Sequence, residues 1–255
     1  MSAGAVPDVG CTLAAEGVLV ITLGASGRMP LIDFETLDAL IASLACAQDE
    51  AGVRVVVLRS GAPWFCGGGD LRLMRRCLAQ SLHRLAQLVE RFHESILAIR
   101  ALRVPVVASV GGAAAGGGFS LALACDLLVA ARSARFVCAY SALRTTSDGG
   151  LSYFLSQPLG RMKALDILAT RTALSASELE RLGFVARLVD DGDLDEATSQ
   201  LADTLRSQPV QALSGWKRLL CGDEPSALRA HLDRERDEFL RCAGTPEFAA
   251  RLSAA

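Results

Sequence analysis

The chain has 255 residues, 51% of them hydrophobic and 21% charged, with 26 basic against 28 acidic side chains. At roughly 150 residues per domain this is one large domain or two small ones, and the composition excludes a disordered chain, a collagen and a coiled-coil rod. A formal net charge of −2 speaks against nucleic acid as a partner, because a nucleic-acid-binding protein normally carries a basic face.

Residues 18–23 are short, apolar and β-branched, and read as a strand. Apolar residues at 34, 37, 40, 41 and 44 have helical spacing and predict a helix over 34–47. Residues 53–58 read as a buried strand that runs into the breaker Ser60-Gly61-Ala62-Pro63 and then the run Gly67-Gly68-Gly69-Asp70. Between 82 and 100, Leu85, Leu88, Val89, Phe92, Ile96 and Ile99 form one helical stripe. Pro105 opens a strand over 106–110 that ends at Gly111-Gly112, and Gly116-Gly117-Gly118 leads into a helix over 119–125. Short strands are expected at 126–130 and 135–138. Beyond about residue 150 the pattern turns helical, at 151–157, 161–169, 175–182, 194–206, 210–220 and 226–242, with one strand over 185–189. The fold class is therefore α/β. Residues 1–192 form its core and residues 193–255 a helical region, divided near Asp191-Gly192-Asp193.

Eight cysteines occur and none forms a CxxC pair, so they read as buried apolar residues in a reducing cytosol. No positive charge precedes Arg28 and no apolar signal core is present. The apolar stretches break well before the ~20 residues of a membrane span. The expectation is a cytoplasmic protein with no membrane partner.

Glycine runs invite a phosphate-binding reading, but neither is a P-loop: Phe119 and Ser120 stand where a Lys-Ser/Thr pair would follow. Neither GxGxxG nor the GxSxG elbow occurs. Cys66, Cys77, His83 and His93 are wrongly spaced for structural zinc, and no metal is expected. What stands is that each run joins a buried strand to a helix. Glycine lets a ligand touch the backbone, and a helix N-terminus offers free N–H groups and a favourable dipole. Two such donors converging on one point would hold an oxyanion, each contributing about 3–4 kcal/mol to a transition state. The plainer reading, tight helix–sheet packing, suits either run alone; the two together favour a site.

Phe65-Cys66-Gly67-Gly68-Gly69-Asp70-Leu71 resembles the first signature of the enoyl-CoA hydratase/isomerase (crotonase) superfamily, and the stretch from Val104 to Gly118 resembles its second. Ala124-Cys125-Asp126-Leu127, Ala134-Arg135-Phe136, Leu159-Gly160-Arg161 and Leu182-Gly183-Phe184-Val185 also sit where that family has similar residues. The resemblance implies a spiral of strand–strand–helix turns, a helical C-terminal region that builds a homotrimer or hexamer, and a substrate carried as an acyl-CoA thioester, with coenzyme A as part of the substrate and no separate cofactor. By family position the backbone amides of Gly69 and Gly117 are the oxyanion donors. The adenine end of coenzyme A lies near Gly67, Asp70 and Leu71 and near Arg28 and Leu31.

Hydratases of the family use two glutamates; here those positions are Ser120 and Tyr140, so two-carboxylate hydration is not expected. Asp148, eight residues after Tyr140, matches the acting aspartate of two subgroups, the isomerases and the 4-chlorobenzoyl-CoA dehalogenases. Its pattern alone reads as an N-cap in an Asp-Gly turn. His93 reads from its helix as a histidine packed on an apolar face. In the dehalogenase subgroup a histidine at this place activates water, and a tryptophan that hydrogen-bonds the aspartate stands where this chain has Tyr140. Segment 72–92, with Leu73, Met74, Leu78 and Leu82, is expected along the acyl end of the pocket. The resemblance thus leaves an enoyl-CoA isomerase in front, ahead of an aryl-CoA dehalogenase with Asp148 as nucleophile and His93 as base, and of a non-catalytic acyl-CoA binder.

Overall fold

The structure is a computed structural model that describes residues 8–14, 17–50, 52–222 and 224–254. Strands β1 (Val9–Leu13), β2 (Val18–Leu23), β3 (Val55–Ser60), β4 (Val106–Val110), β6 (Leu127–Ala131) and β9 (Arg187–Val189) form a six-stranded sheet in the order β1-β2-β3-β4-β6-β9. Only the β1–β2 pair is antiparallel. Strands β5 (Ala113–Ala115), β7 (Arg135–Val137) and β8 (Ala173–Ser175) make a second sheet. Two successive turns of chain therefore lay one strand in the large sheet and the next in the small one, β4 then β5 and β6 then β7. A helix closes the turn: α4 (Gly117–Ala124) after β4 and β5, and α5 (Leu151–Thr170) after β6 and β7. This is the expected strand–strand–helix spiral.

The strands are apolar on both sides because both sheet faces are covered. Val55, Val57, Val107 and Val129 face Leu201 and Ala202 of α7 (Leu194–Arg206). Val56, Leu58, Val106 and Ala108, one residue out of step, face the main core. That core also takes the buried stripes of α1 (Phe34–Asp49) and α3 (Leu82–Ala101). Helices α8 (Val210–Cys221), α9 (Glu224–Ala243) and α10 (Pro246–Ala254) complete the C-terminal region, after α6 (Ala176–Arg181). No helix of the described residues is long and apolar enough to cross a membrane.

The elements differ from the sequence reading in places. The expected strand at 53–58 runs over Val55–Ser60: the Val53 N–H turns back to the Glu50 carbonyl, and the Arg54 N–H meets the Gly17 carbonyl just ahead of β2. Helix α4 starts at Gly117 rather than 119, inside the glycine run. The two helices expected at 151–157 and 161–169 form one element bent at Gly160, whose φ of 73 lies outside the helical range, two residues after Pro158. Residue 175 ends β8 and caps α6 rather than opening a helix. Helix α2 (Leu71–Gln80) has no counterpart in that reading, since only Met74 and Cys77 of its ten residues are buried.

Candidate active site

The spiral lays the two glycine runs side by side. Cys66 pairs with Ala114 in a parallel bridge, with the Cys66 N–H on the Ala113 carbonyl and the Ala115 N–H on the Cys66 carbonyl. Three residues on, Gly69 is bridged to Ile32: the Ile32 N–H goes to the Gly68 carbonyl and the Asp70 N–H to the Ile32 carbonyl. In a parallel bridge the residue flanked by both bonds turns its own N–H the other way. The Gly69 N–H therefore faces the side on which residues 114–117 run. Gly117 is the first residue of α4, where an amide has no acceptor within the helix. Among the described residues no protein acceptor is found for either N–H. A Cβ at 117 would stand 2.5 Å from Ile32 Cδ1 and 3.2 Å from the Phe92 ring, so any larger residue must displace those side-chain ends. Gly69 and Gly117 both line one cavity of about 390 Å³, so two unspent donors serve one space. Cys66, inside the first run, is buried, and burial pushes its thiol up to about 11, which leaves it a neutral packing residue.

Asp148 and Tyr140 line the same cavity. Asp148 does not cap α5. The N-cap is Gly150, at φ 83, and the Asp148 side chain turns instead to His93, whose Nε2 donates to Asp148 Oδ1 at 2.5 Å. His93 is 2% exposed and Asp148 6%. The histidine is thus buried as its helix stripe implies, and the Asp148 carboxylate gives it a polar partner there. Burial opposes a charged imidazole, yet the Asp148 carboxylate and its hydrogen bond outweigh burial and raise the His93 pKa above its ordinary value.

The loop beneath Asp148 is held by side chains at the two positions where hydratases carry glutamates. Ser120 Oγ donates to the Asp148 main-chain carbonyl at 2.7 Å, and the Tyr140 hydroxyl donates to the same oxygen at 2.8 Å. The tyrosine therefore does not take the tryptophan's place on the aspartate carboxylate. It reaches the peptide instead, and the carboxylate is left to His93. Burial, and then the Asp148 charge, push the Tyr140 phenol well above its ordinary value, so it stays a neutral donor. Sequence reasoning treated Ser120 only as a missing acid, and it missed Glu235 altogether. Glu235 on α9 is 6% exposed and accepts from the N–H groups of Gly150 at 2.6 Å and Ser152 at 3.2 Å.

The rest of the cavity is apolar, with Met74, Leu85, Leu88, Val89, Phe92 and Phe239 on its wall. Of the four residues expected there from segment 72–92, only Met74 reaches it. Leu73 and Leu78 pack on the core, and Leu82 is exposed at the start of α3. Arg251 and Ala254 of α10 stand at the cavity, and α10 is seated by buried Phe248 and Leu252 and by Arg75, which donates to the Leu252 carbonyl at 2.9 Å. A larger hollow of about 830 Å³ adjoins and shares Gly67, Gly69 and Leu71; Leu31, Asp70, Arg72 and Arg75 also line it. Asp70 caps α2 there by accepting from the Arg72 and Leu73 N–H groups. Arg28 is not brought to either space. It is exposed, bonded to Ser26 and paired with Asp8, and lines a separate side hollow together with Leu31 and Asp70.

The sequence profile of the enoyl-CoA hydratase/isomerase family matches residues 14–247. A 1,2-epoxyphenylacetyl-CoA isomerase of Escherichia coli (strain K12) is 33% identical over 230 residues, 90% of this chain and 87% of that protein. A 4-chlorobenzoyl coenzyme A dehalogenase of an Arthrobacter species is 26% identical over 90% of this chain and 81% of its own length. The crystal structure of an enoyl-CoA hydratase from Bacillus halodurans superposes with a TM-score of 0.90 at 26% identity, covering 97% of this chain and 99% of that one. With paired glycine runs, a spiral fold and a profile that spans nearly its whole length, this chain belongs to the enoyl-CoA hydratase/isomerase family of acyl-CoA enzymes.

Proposed function

We propose that the protein is an acyl-CoA isomerase that moves a double bond, or opens and rearranges a ring, next to the thioester. The Asp148 carboxylate takes a proton from a carbon conjugated with the thioester, and the electron pair moves onto the thioester oxygen. The Gly69 and Gly117 N–H groups hold that oxygen. Protonated Asp148 then returns the proton to a carbon further along, so no oxidant and no water are consumed. One observation carries this reading: Asp148 is the one acidic side chain among the described residues that line the cavity, while the two hydratase positions are hydroxyls tied to its backbone. A single base can serve both carbons, whereas hydration would require a second group to activate water. His93 supports it by donating to the carboxylate and holding it in place. The 33% identity to a protein named as an isomerase agrees, and the apolar wall suits a hydrocarbon or aryl acyl group. The oxygen donors, the base and the wall all come from one chain, and the enzyme assembles as a homotrimer or a pair of trimers.

The test is incubation of 3-enoyl-, dienoyl- and epoxyarylacetyl-CoA thioesters in deuterated water. Isomerised product carrying some deuterium is expected, and Asp148→Asn should abolish it. Thioester binding with no product from any of them would sink the reading and leave the dehalogenase reading below or a non-catalytic binder.

The buried His93–Asp148 pair also supports a second reading, hydrolytic dehalogenation. Asp148 would displace halide from an aryl carbon to form an ester. The ester has no charge, so the influence that raises His93 vanishes and its nitrogen becomes free to take a proton from water. That water attacks the ester carbonyl and releases a phenol. Single turnover in heavy-oxygen water would then label Asp148, and an unlabelled carboxylate excludes it.

A further inference from the structure

We infer that Glu235, on α9 in the C-terminal region, is a positioning residue that sets the place of the Asp148 carboxylate by clamping the loop on both sides of it. The inference rests on the reading of Asp148 as the acting acid. The loop cannot fix itself. Gly149 and Gly150 adopt φ of 67 and 83, and a Cβ at 149 would stand 2.1 Å from the Phe92 ring, so the turn needs glycine where glycine is least rigid. Helix α5 receives no cap from its own first residue. Glu235 supplies the cap from across the molecule, accepting from Gly150 N–H at 2.6 Å, Ser152 N–H at 3.2 Å and Ser152 Oγ at 2.5 Å. It also accepts from Ser147 Oγ at 3.2 Å, on the other side of Asp148.

One carboxylate therefore touches the residue before Asp148 and the second residue after it. With Ser120 and Tyr140 on the Asp148 carbonyl, the peptide is held at three points and the side chain is left to meet His93. Glu235 is charged in this setting. Burial opposes its charge, but His231, 3.7 Å away, and bonds from Ser152 and the Gly150 N–H hold its pKa below the ordinary value. His93 in turn feels Asp148 first, then Glu235 and Glu90.

Loss of a cap that only stabilises α5 would lower the melting temperature and nothing else, so the test reads the catalytic pair itself. The chain has three histidines, which makes the His93 Nε2–H resonance assignable by NMR. Glu235→Gln is expected to shift or broaden that resonance, and to lower kcat on the order of tenfold to a hundredfold with KM within about twofold, as expected of a displaced reacting group. Glu235→Asp should recover part of both. Ser147→Ala leaves the Glu235 charge in place and removes only the clamp ahead of Asp148, so a change in the His93 resonance there reports position and not charge. Ser175→Ala, which breaks the capping box of α6, serves as a destabilised control with unchanged kcat. If Glu235→Gln melts early but keeps wild-type kcat and His93 resonance, the inference is overturned. If that variant does not fold, wild-type values for both readouts in Ser147→Ala and Ser152→Ala overturn it equally. Should the wild-type enzyme turn over no thioester, the proposed function fails while the His93 resonances still decide the clamp.

Discussion

Replacing Asp148 by Asn keeps an oxygen that can accept from His93 Nε2 and removes the group able to carry a proton. We expect kcat to fall by about 10²–10⁴-fold, the range for loss of a general acid–base, with the chain still folded and KM little changed. Steady-state kinetics beside a thermal melt check this, and a variant with wild-type kcat would remove Asp148 from the mechanism. Much of this site was named beforehand through the family resemblance, which assigned Gly69, Gly117 and Asp148 their roles, whereas their own patterns offered packing glycines and an N-cap equally well. His93, 55 residues away in sequence, was placed beside Asp148 by the family resemblance alone, since its own pattern says only that it faces the apolar side of a helix. Glu235 was less legible still. It stands in Arg234-Glu235-Arg236, which reads as a solvated face, and only the packing of α9 beside α3 turns that side inward.

Helix α4 shows what a buried element tolerates. Seven of its eight residues are buried, so its first turn has no room to shift. In Gly117→Ala the new methyl would meet Ile32 Cδ1 at 2.5 Å and the Phe92 ring at 3.2 Å, an overpacking worth about 1–3 kcal/mol. Phe92 also leans on Gly149, so the strain passes to the Asp148 loop and turnover should drop further than the lost stability alone explains. Calorimetry and kcat on the same preparation test this, and full activity with a lowered melting temperature would contradict it. At this scale legibility followed periodicity. Helices with a long apolar stripe, such as α1 and α3, stand where the spacing puts them. Strands β5 and β8, Ala-Ala-Ala and Ala-Leu-Ser, carry no β-branched or aromatic residue to mark them, unlike the equally short β7 and β9. Helix α2 hides its apolar side among Arg72, Arg75 and Arg76, and its clearest sign was the cap at Asp70.

For the molecule as a whole, stability should depend on pH through its two buried polar clusters. The His93 pKa is raised, so the stability it contributes is complete below its unfolded value of about 6.5 and is lost as pH rises through the folded one. The Glu235 pKa is lowered, so its contribution is present above about 4.3 and is lost as pH falls through the folded value. Melting temperature should therefore decline on both sides of a mildly acid maximum, and His93→Gln should flatten the alkaline side alone; an unchanged alkaline limb would refute the assignment. Assembly adds a second dependence. Trp216, Leu219 and Leu220 recur at i, i+3 and i+4 on α8 and are more than half exposed, as are Met162 and Leu165 on α5. Apolar side chains grouped in this way mark contact surfaces. If the proposed trimer covers the α8 face, melting temperature must rise with protein concentration, because association draws on the folded state alone. Leu219→Asp with Leu220→Asp should abolish that rise and yield a species of one-third the mass by sedimentation. A wild-type chain that sediments as a monomer at micromolar concentration, with a melting temperature independent of dilution, would show that this face stays open to solvent.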